Sequence, residues 1–83
     1  MLGWAAWREI DERYGLGLIS FALPQAMDAG AFHVQEVRPL AHVLLGALDE
    51  AALFIANAAD SAMARDQIET ALMSLLDGLR TRP

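Results

Sequence analysis

The sequence predicts an all-α fold of three helices, and two observations support this prediction. Apolar residues recur at helical spacing near both ends of the chain, within residues 4–29 and 61–80. Between these segments, residues 39–59 are apolar around most of the circumference of a helix, which therefore has to be covered on several sides. Because 83 residues provide little chain for that cover, we expect the protein to oligomerise.

The first helix is expected over residues 4–29. Gly15 and Gly17 lie inside it, where two glycines indicate either close approach to another helix or a weak point. Pro24 lacks a backbone donor, so we expect a kink just before it or a break into two helices. The apolar stripe of this helix has spacings of 3, 4, 4 and 3 positions and consists of Trp7, Ile10, Tyr14, Leu18 and Phe21.

A connector and a second helix follow. Gly30 can supply the left-handed residue that ends the first helix. The connector, residues 31–38, should lie against the bundle because it carries Phe32, Val34 and Val37. Pro39 suits the first position of the second helix, residues 39–59, and this leaves Arg38 as a poor N-cap.

The third helix is expected over residues 61–80. Asp60 and Ser61 are both good N-capping residues. Short connections predict antiparallel neighbours within one domain that spans residues 1–83. The apolar stripe of this helix consists of Ile68, Leu72, Leu75, Leu76 and Leu79.

Composition argues against several classes of protein. The net charge of −5 disfavours a nucleic-acid surface, which needs clustered cations. There is no cysteine, and no signal peptide is apparent at the N-terminus. Residues 39–59 could span a bilayer by length, but Asp49 and Glu50 at their centre favour a soluble bundle helix. We therefore expect a cytoplasmic protein with no membrane partner.

No pattern of catalytic residues or metal ligands is present. His33 and His42 are the only histidines, and neither belongs to a recognisable set of metal ligands. The serines lack a base signature, and no glycine-rich phosphate loop follows a strand. We expect no enzymatic activity, no cofactor and no metal. The aromatic residues that could form a ligand-binding wall, although core packing is their more ordinary role, are Trp4, Trp7, Tyr14 and Phe21.

Three phrases together resemble the C-terminal region of TetR-family transcriptional regulators. They are LGWAAWREIDERYGLGLI at Leu2–Ile19, RPLAHVLLGALDEAALFIANAAD at Arg38–Asp60 and IETALMSLLDGLR at Ile68–Arg80. The second phrase is the most specific, and it is similar to what actinobacterial members carry. Arg38 stands where the family usually has a capping Asp, and Pro24 within the first helix is atypical.

The resemblance implies a homodimer in which the last two helices pair with their symmetry mates as a four-helix bundle. It also implies that the helix-turn-helix DNA-binding domain is missing, whether the chain is a fragment or a natural truncated product. In this interpretation some apolar residues cover the intrachain core and others the partner. The residues expected at the dimer interface are Leu44, Ala47, Leu48, Ala51, Phe54, Ile55, Ile68, Leu72, Leu75, Leu76 and Leu79.

By resemblance, the chain is the dimerisation and partial ligand-binding portion of a TetR-like repressor. It would not bind DNA by itself, and a small apolar inducer could contact it. Two alternatives stay open at this point. The chain could be a free-standing interaction module that forms mixed dimers with intact regulators, or a small helical protein that binds an apolar ligand.

Overall fold

The computed structural model describes the backbone of residues 3–81 and the side chains of residues 3 and 13–81. The all-α prediction is confirmed. Three helices follow in order: α1 (Trp4–Asp28), α2 (Val37–Ala56) and α3 (Ser61–Leu79). The described residues contain no strand, only an isolated antiparallel bridge between Phe32 and Arg80.

Helix α1 runs through Pro24 without being divided in two. Its end is a Schellman motif, because the Gly30 N–H donates to the Met27 carbonyl and the Ala31 N–H donates to the Ala26 carbonyl. Gly30 has a φ of +78°, which is the left-handed conformation that glycine adopts most readily. The predicted role of this glycine is therefore confirmed.

Helix α2 begins two residues earlier than predicted, at Val37, and its N-cap is Glu36 rather than Arg38. Pro39 is consequently the third helical residue. Proline is acceptable there because the first N–H groups of a helix have no partner within it. The helix ends at Ala56, three residues before the predicted end. Asn57 follows, and its side-chain amide donates to the Leu53 carbonyl at 2.9 Å.

Helix α3 begins as its capping residues predict. The Asp60 carboxylate accepts a hydrogen bond from the Met63 N–H at 3.0 Å, so one of the unpaired donors of the first turn is satisfied. The helix ends at Leu79, one residue before the predicted end.

The core lies between α1 and α2. Leu23, Met27 and Ala41 are buried at its centre, and Ala41 is fully inaccessible to solvent. Phe32 and Val37 from the connector region pack against this cluster, while Val34 is exposed. The connector therefore lies against the bundle, as expected, but not through Val34.

The end of the Leu45 side chain on α2 packs against Gly15 of α1. A Cβ atom at this position would lie 2.7 Å from Leu45 Cδ1, which is too close for a real contact. A Cβ atom added to Gly17 would have no neighbouring atom within 4 Å. Close approach is therefore the reason for the first glycine and does not apply to the second.

The three helices form a single layer. Helix α2 lies between the other two and contacts both, and the described parts of α1 and α3 do not contact each other. The molecule extends over 45 × 31 × 14 Å, so it is much thinner in one direction than in the other two. A single layer of helices leaves a large share of each helix surface uncovered.

Candidate functional site

Helices α2 and α3 expose large apolar side chains. Leu48 and Phe54 on α2, and Leu75 and Leu76 on α3, are all exposed to solvent, Leu75 to 54%. All four belong to the predicted dimer interface, and we call them the association surface. Apolar area of this kind on a small protein marks a site of interaction.

The other predicted interface residues lie partly or fully within the chain. Ala51 is buried, and Leu44 packs against the α1–α2 core. The remaining members are half-buried, and they are Ala47, Ile55, Ile68, Leu72 and Leu79. The structure thus separates residues whose side chains are open to a partner from residues already used inside the chain, which spacing alone could not do.

Four further exposed apolar residues lie outside the predicted interface. They are Val43, Leu53, Met63 and Met73. The signal for the α2 members was present, because residues 39–59 are apolar nearly all round and the two-helix cover available cannot reach every side. Met73 lies on the outer face of α3 beside Glu69 and Asp77, where an isolated methionine needs no special explanation.

Helix α1 carries a second exposed apolar stripe. Tyr14, Leu18 and Phe21 are exposed to 72%, 72% and 71%. The side chains of α1 that pack against α2 are instead Leu16, Ile19, Leu23 and Met27. Tyr14 and Phe21 are therefore not core residues in this structure. The other two predicted ligand-wall residues, Trp4 and Trp7, lie outside the residues whose side chains are described.

Polar groups do not converge on a reactive centre in the described part of the chain. Among those residues, no three His, Cys, Asp or Glu side chains stand close enough to hold a metal ion. His33 and His42 are both exposed and lie on different elements. The described residues line open grooves, of which two stand out. One follows the outer face of α3 along Asp66, Glu69, Thr70, Met73, Ser74 and Asp77, and the other lies at the end of α2 along Glu50, Leu53, Phe54, Asn57 and Ala58.

A comparison with protein-family models identifies the family of this chain. The model of the family described as "Tetracyclin repressor-like, C-terminal domain" matches residues 1–79. The chain belongs to this family. TetR-like C-terminal domains are regulatory rather than catalytic, and they typically dimerise and bind small ligands. A search of curated proteins finds no match.

One helix of this TetR-like domain has the length and composition of a membrane span. Among the described residues only Val37–Ala56 passes that test, and the core helix of a soluble protein passes it equally well. Asp49 and Glu50 stand at its centre, where charges are costly in lipid. TetR-family regulators are soluble cytoplasmic proteins. Only 17% of this segment is buried within the single chain, so the chain itself leaves most of its apolar surface uncovered.

Proposed function

We propose that this chain is the dimerisation and ligand-binding part of a TetR-like transcriptional repressor, and that it forms a homodimer through α2 and α3 as a four-helix bundle. The family match gives the class of protein, a TetR-like regulator. The observation that carries the proposal is the amount of surface left uncovered by the single layer of helices.

The exposed area is larger than a compact monomer of this mass would have. The chain exposes 6584 Å², whereas a folded 9.0 kDa protein exposes about 4,900 Å². The excess of about 1,700 Å² lies within the range of about 1,000–2,500 Å² that each subunit of an obligate dimer buries. The radius of gyration, 14.7 Å, likewise exceeds the value of about 12 Å expected for a compact domain of this length. Both differences are what one half of a dimer should show.

The association surface would form the centre of the interface. Leu48 and Phe54 on α2 and Leu75 and Leu76 on α3 are large, apolar and open to a partner. Burying their exposed area stabilises a complex by about 25 cal/mol per Å². The half-buried members of the predicted interface would complete its edge, because the chain itself covers only part of each side chain.

The proposal is tested by a charge placed on the association surface. Leu75→Asp should fold, since the side chain is 54% exposed in the single chain, but it should abolish dimerisation by burying an unpaired carboxylate. Met73→Asp is the matched control. It lies on the same helix about 200° away, is 60% exposed, and introduces the same charge on the outer face.

Sedimentation velocity and circular dichroism of both variants give the answer. We expect L75D to sediment as a helical monomer and M73D to sediment as the wild type does. A dimer that survives L75D unchanged would place the interface elsewhere on the molecule.

Ligand binding is the second part of the proposed function. Tyr14 and Phe21 project from the outer face of α1 with their rings free. We propose that they form, with Trp4 and Trp7, part of the wall against which a small apolar inducer binds. Quenching of tryptophan fluorescence by apolar ligands, reduced in Tyr14→Ala and Phe21→Ala, is the expected result. Equal quenching in the wild type and both variants would contradict it.

DNA binding would depend on an N-terminal domain outside this sequence. The net charge of −5 opposes attraction to phosphates. We therefore propose that the chain alone binds no operator DNA, has no catalytic activity and works in the cytoplasm. A sequence-specific, salt-dependent gel shift by the purified chain would contradict this part of the proposal.

A further inference from the structure

The connector between α1 and α2 pairs with the end of α3 through its backbone. The His33 N–H donates to the Leu79 carbonyl oxygen at 2.9 Å, and the Thr81 N–H donates to the Ala31 carbonyl oxygen at 3.0 Å. These bonds flank the bridge between Phe32 and Arg80. We call residues 30–33 and 79–81 together the latch.

A side chain adds a third bond to the latch. The Thr81 hydroxyl donates to the Gly30 carbonyl oxygen at 2.6 Å, and it lies 3.5 Å from the Ala31 carbonyl oxygen. Gly30 is the positive-φ residue that ends α1. One hydroxyl therefore joins the end of α3 to the end of α1, across 51 positions of sequence.

The latch is the route by which α1 and α3 are connected in space. Their described parts make no direct helix–helix contact, and apart from the latch α3 is held by α2. Phe32, at the centre of the latch, packs against the core formed by Leu23, Met27 and Ala41. The connector is thus fixed to the core through its side chain and to α3 through its backbone.

We propose that the latch is a conformational device that couples the position of α3 to the end of α1. A displacement of the last turn of α1 moves Gly30 and Phe32, and the backbone bonds pass that movement to Leu79 and Thr81. Leu75 and Leu76 lie one turn before Leu79 in α3, so these two residues of the association surface would move with the end of the helix. This last step rests on the proposed dimer, whereas the coupling between helices does not.

Removal of the Thr81 hydroxyl tests the latch directly. Thr81→Val keeps the β-branched shape but removes the donor, and Thr81→Ser keeps the donor and serves as the control. Loss of one hydrogen bond of ordinary strength should make opening of the latch about two- to tenfold more favourable. Amide hydrogen exchange at His33 and over the last two turns of α3 should accelerate by that factor in T81V and stay at the wild-type rate in T81S.

A stronger variant removes a backbone donor as well. Thr81→Pro deletes the N–H that binds the Ala31 carbonyl, and Arg80, with φ −73° and ψ 144°, already has the extended conformation that precedes proline. We expect faster exchange at the end of α3 than in T81V, with helical circular dichroism unchanged. Wild-type exchange rates in both T81V and T81P would overturn the latch.

Transmission from α1 is tested by a second change. Gly30→Ala strains the end of α1, because its φ of +78° is unfavourable for a residue with a Cβ. We expect G30A alone to accelerate amide exchange at the end of α3. Added to T81P, the same change should accelerate exchange no further. Independent effects of the two changes would overturn the coupling. A monomeric wild type would contradict the proposed dimer, yet these exchange rates would still decide whether the latch exists.

Discussion

At the residue scale, the absence of a side chain at Gly15 makes room for the end of the Leu45 side chain between α1 and α2. Leu45 occupies the space where a side chain at Gly15 would begin, with its Cδ1 atom 2.7 Å from that point. Gly17 is open at the same position, two residues further along the same helix. The two glycines differ only in what stands opposite them, so they form a natural pair for measurement.

Gly17→Ala should stabilise the protein by about 1 kcal/mol, because alanine is the better helix former. Gly15→Ala should gain the same amount and lose about 1–3 kcal/mol to overpacking, since Leu45 has to shift within a packed helix pair. Urea unfolding of both variants checks the difference. Equal stabilisation by the two substitutions would mean that the Leu45 side chain moves aside at no cost and that Gly15 is not required for packing.

At the element scale, each helix was predictable, but the buried face of α1 was not. The spacing of Tyr14, Leu18 and Phe21 predicts an apolar stripe, yet Leu16, Leu23 and Met27 form another stripe of equal quality. A helix with two apolar sides gives no local signal for which side packs inward. The choice depends on the partner helix, and the contact between Gly15 and Leu45 shows which side α2 takes.

A leucine-to-alanine substitution should change the stability of the protein by very different amounts on the two faces of α1. Leu23→Ala should cost about 2–5 kcal/mol, because the side chain is buried in the core and its loss leaves a cavity. Leu18→Ala, on the exposed stripe, should change stability by less than about 0.5 kcal/mol. Thermal unfolding distinguishes them. A larger loss from L18A than from L23A would mean that the helix packs the other way round.

The start of α3 was predicted correctly from Asp60, whereas the start of α2 was predicted two residues too late. Asp60 has a short side chain that reaches the Met63 N–H, and this chemistry is visible in sequence. Glu36 caps α2 without any side-chain hydrogen bond, so no residue type marked that boundary. Pro39 is compatible with more than one position in the first turn, which explains the error of two residues.

Asp60→Ala should therefore cost about 1 kcal/mol of stability through loss of the cap. Asp66→Ala removes the same charge from the same helix but no capping bond, and it should be close to neutral. Chemical denaturation at one pH compares the two. If both variants lose the same stability, net charge and not capping would be responsible.

At the scale of the whole molecule, the single layer of helices accounts for what sequence could and could not predict. The excess of apolar residues predicted that the chain needs a partner. It could not divide the predicted interface into residues such as Ala51, which the chain buries itself, and residues such as Leu75, which it leaves exposed. That division depends on how α3 lies on α2, and helical spacing carries no information about it.

The central claim is that this domain is one half of a dimer, and the molar mass in solution tests it most directly. Light scattering behind a sizing column should give twice 9.0 kDa at micromolar concentration, with the helical circular dichroism of the wild type. A stable, helical species of 9.0 kDa across that concentration range would contradict the claim.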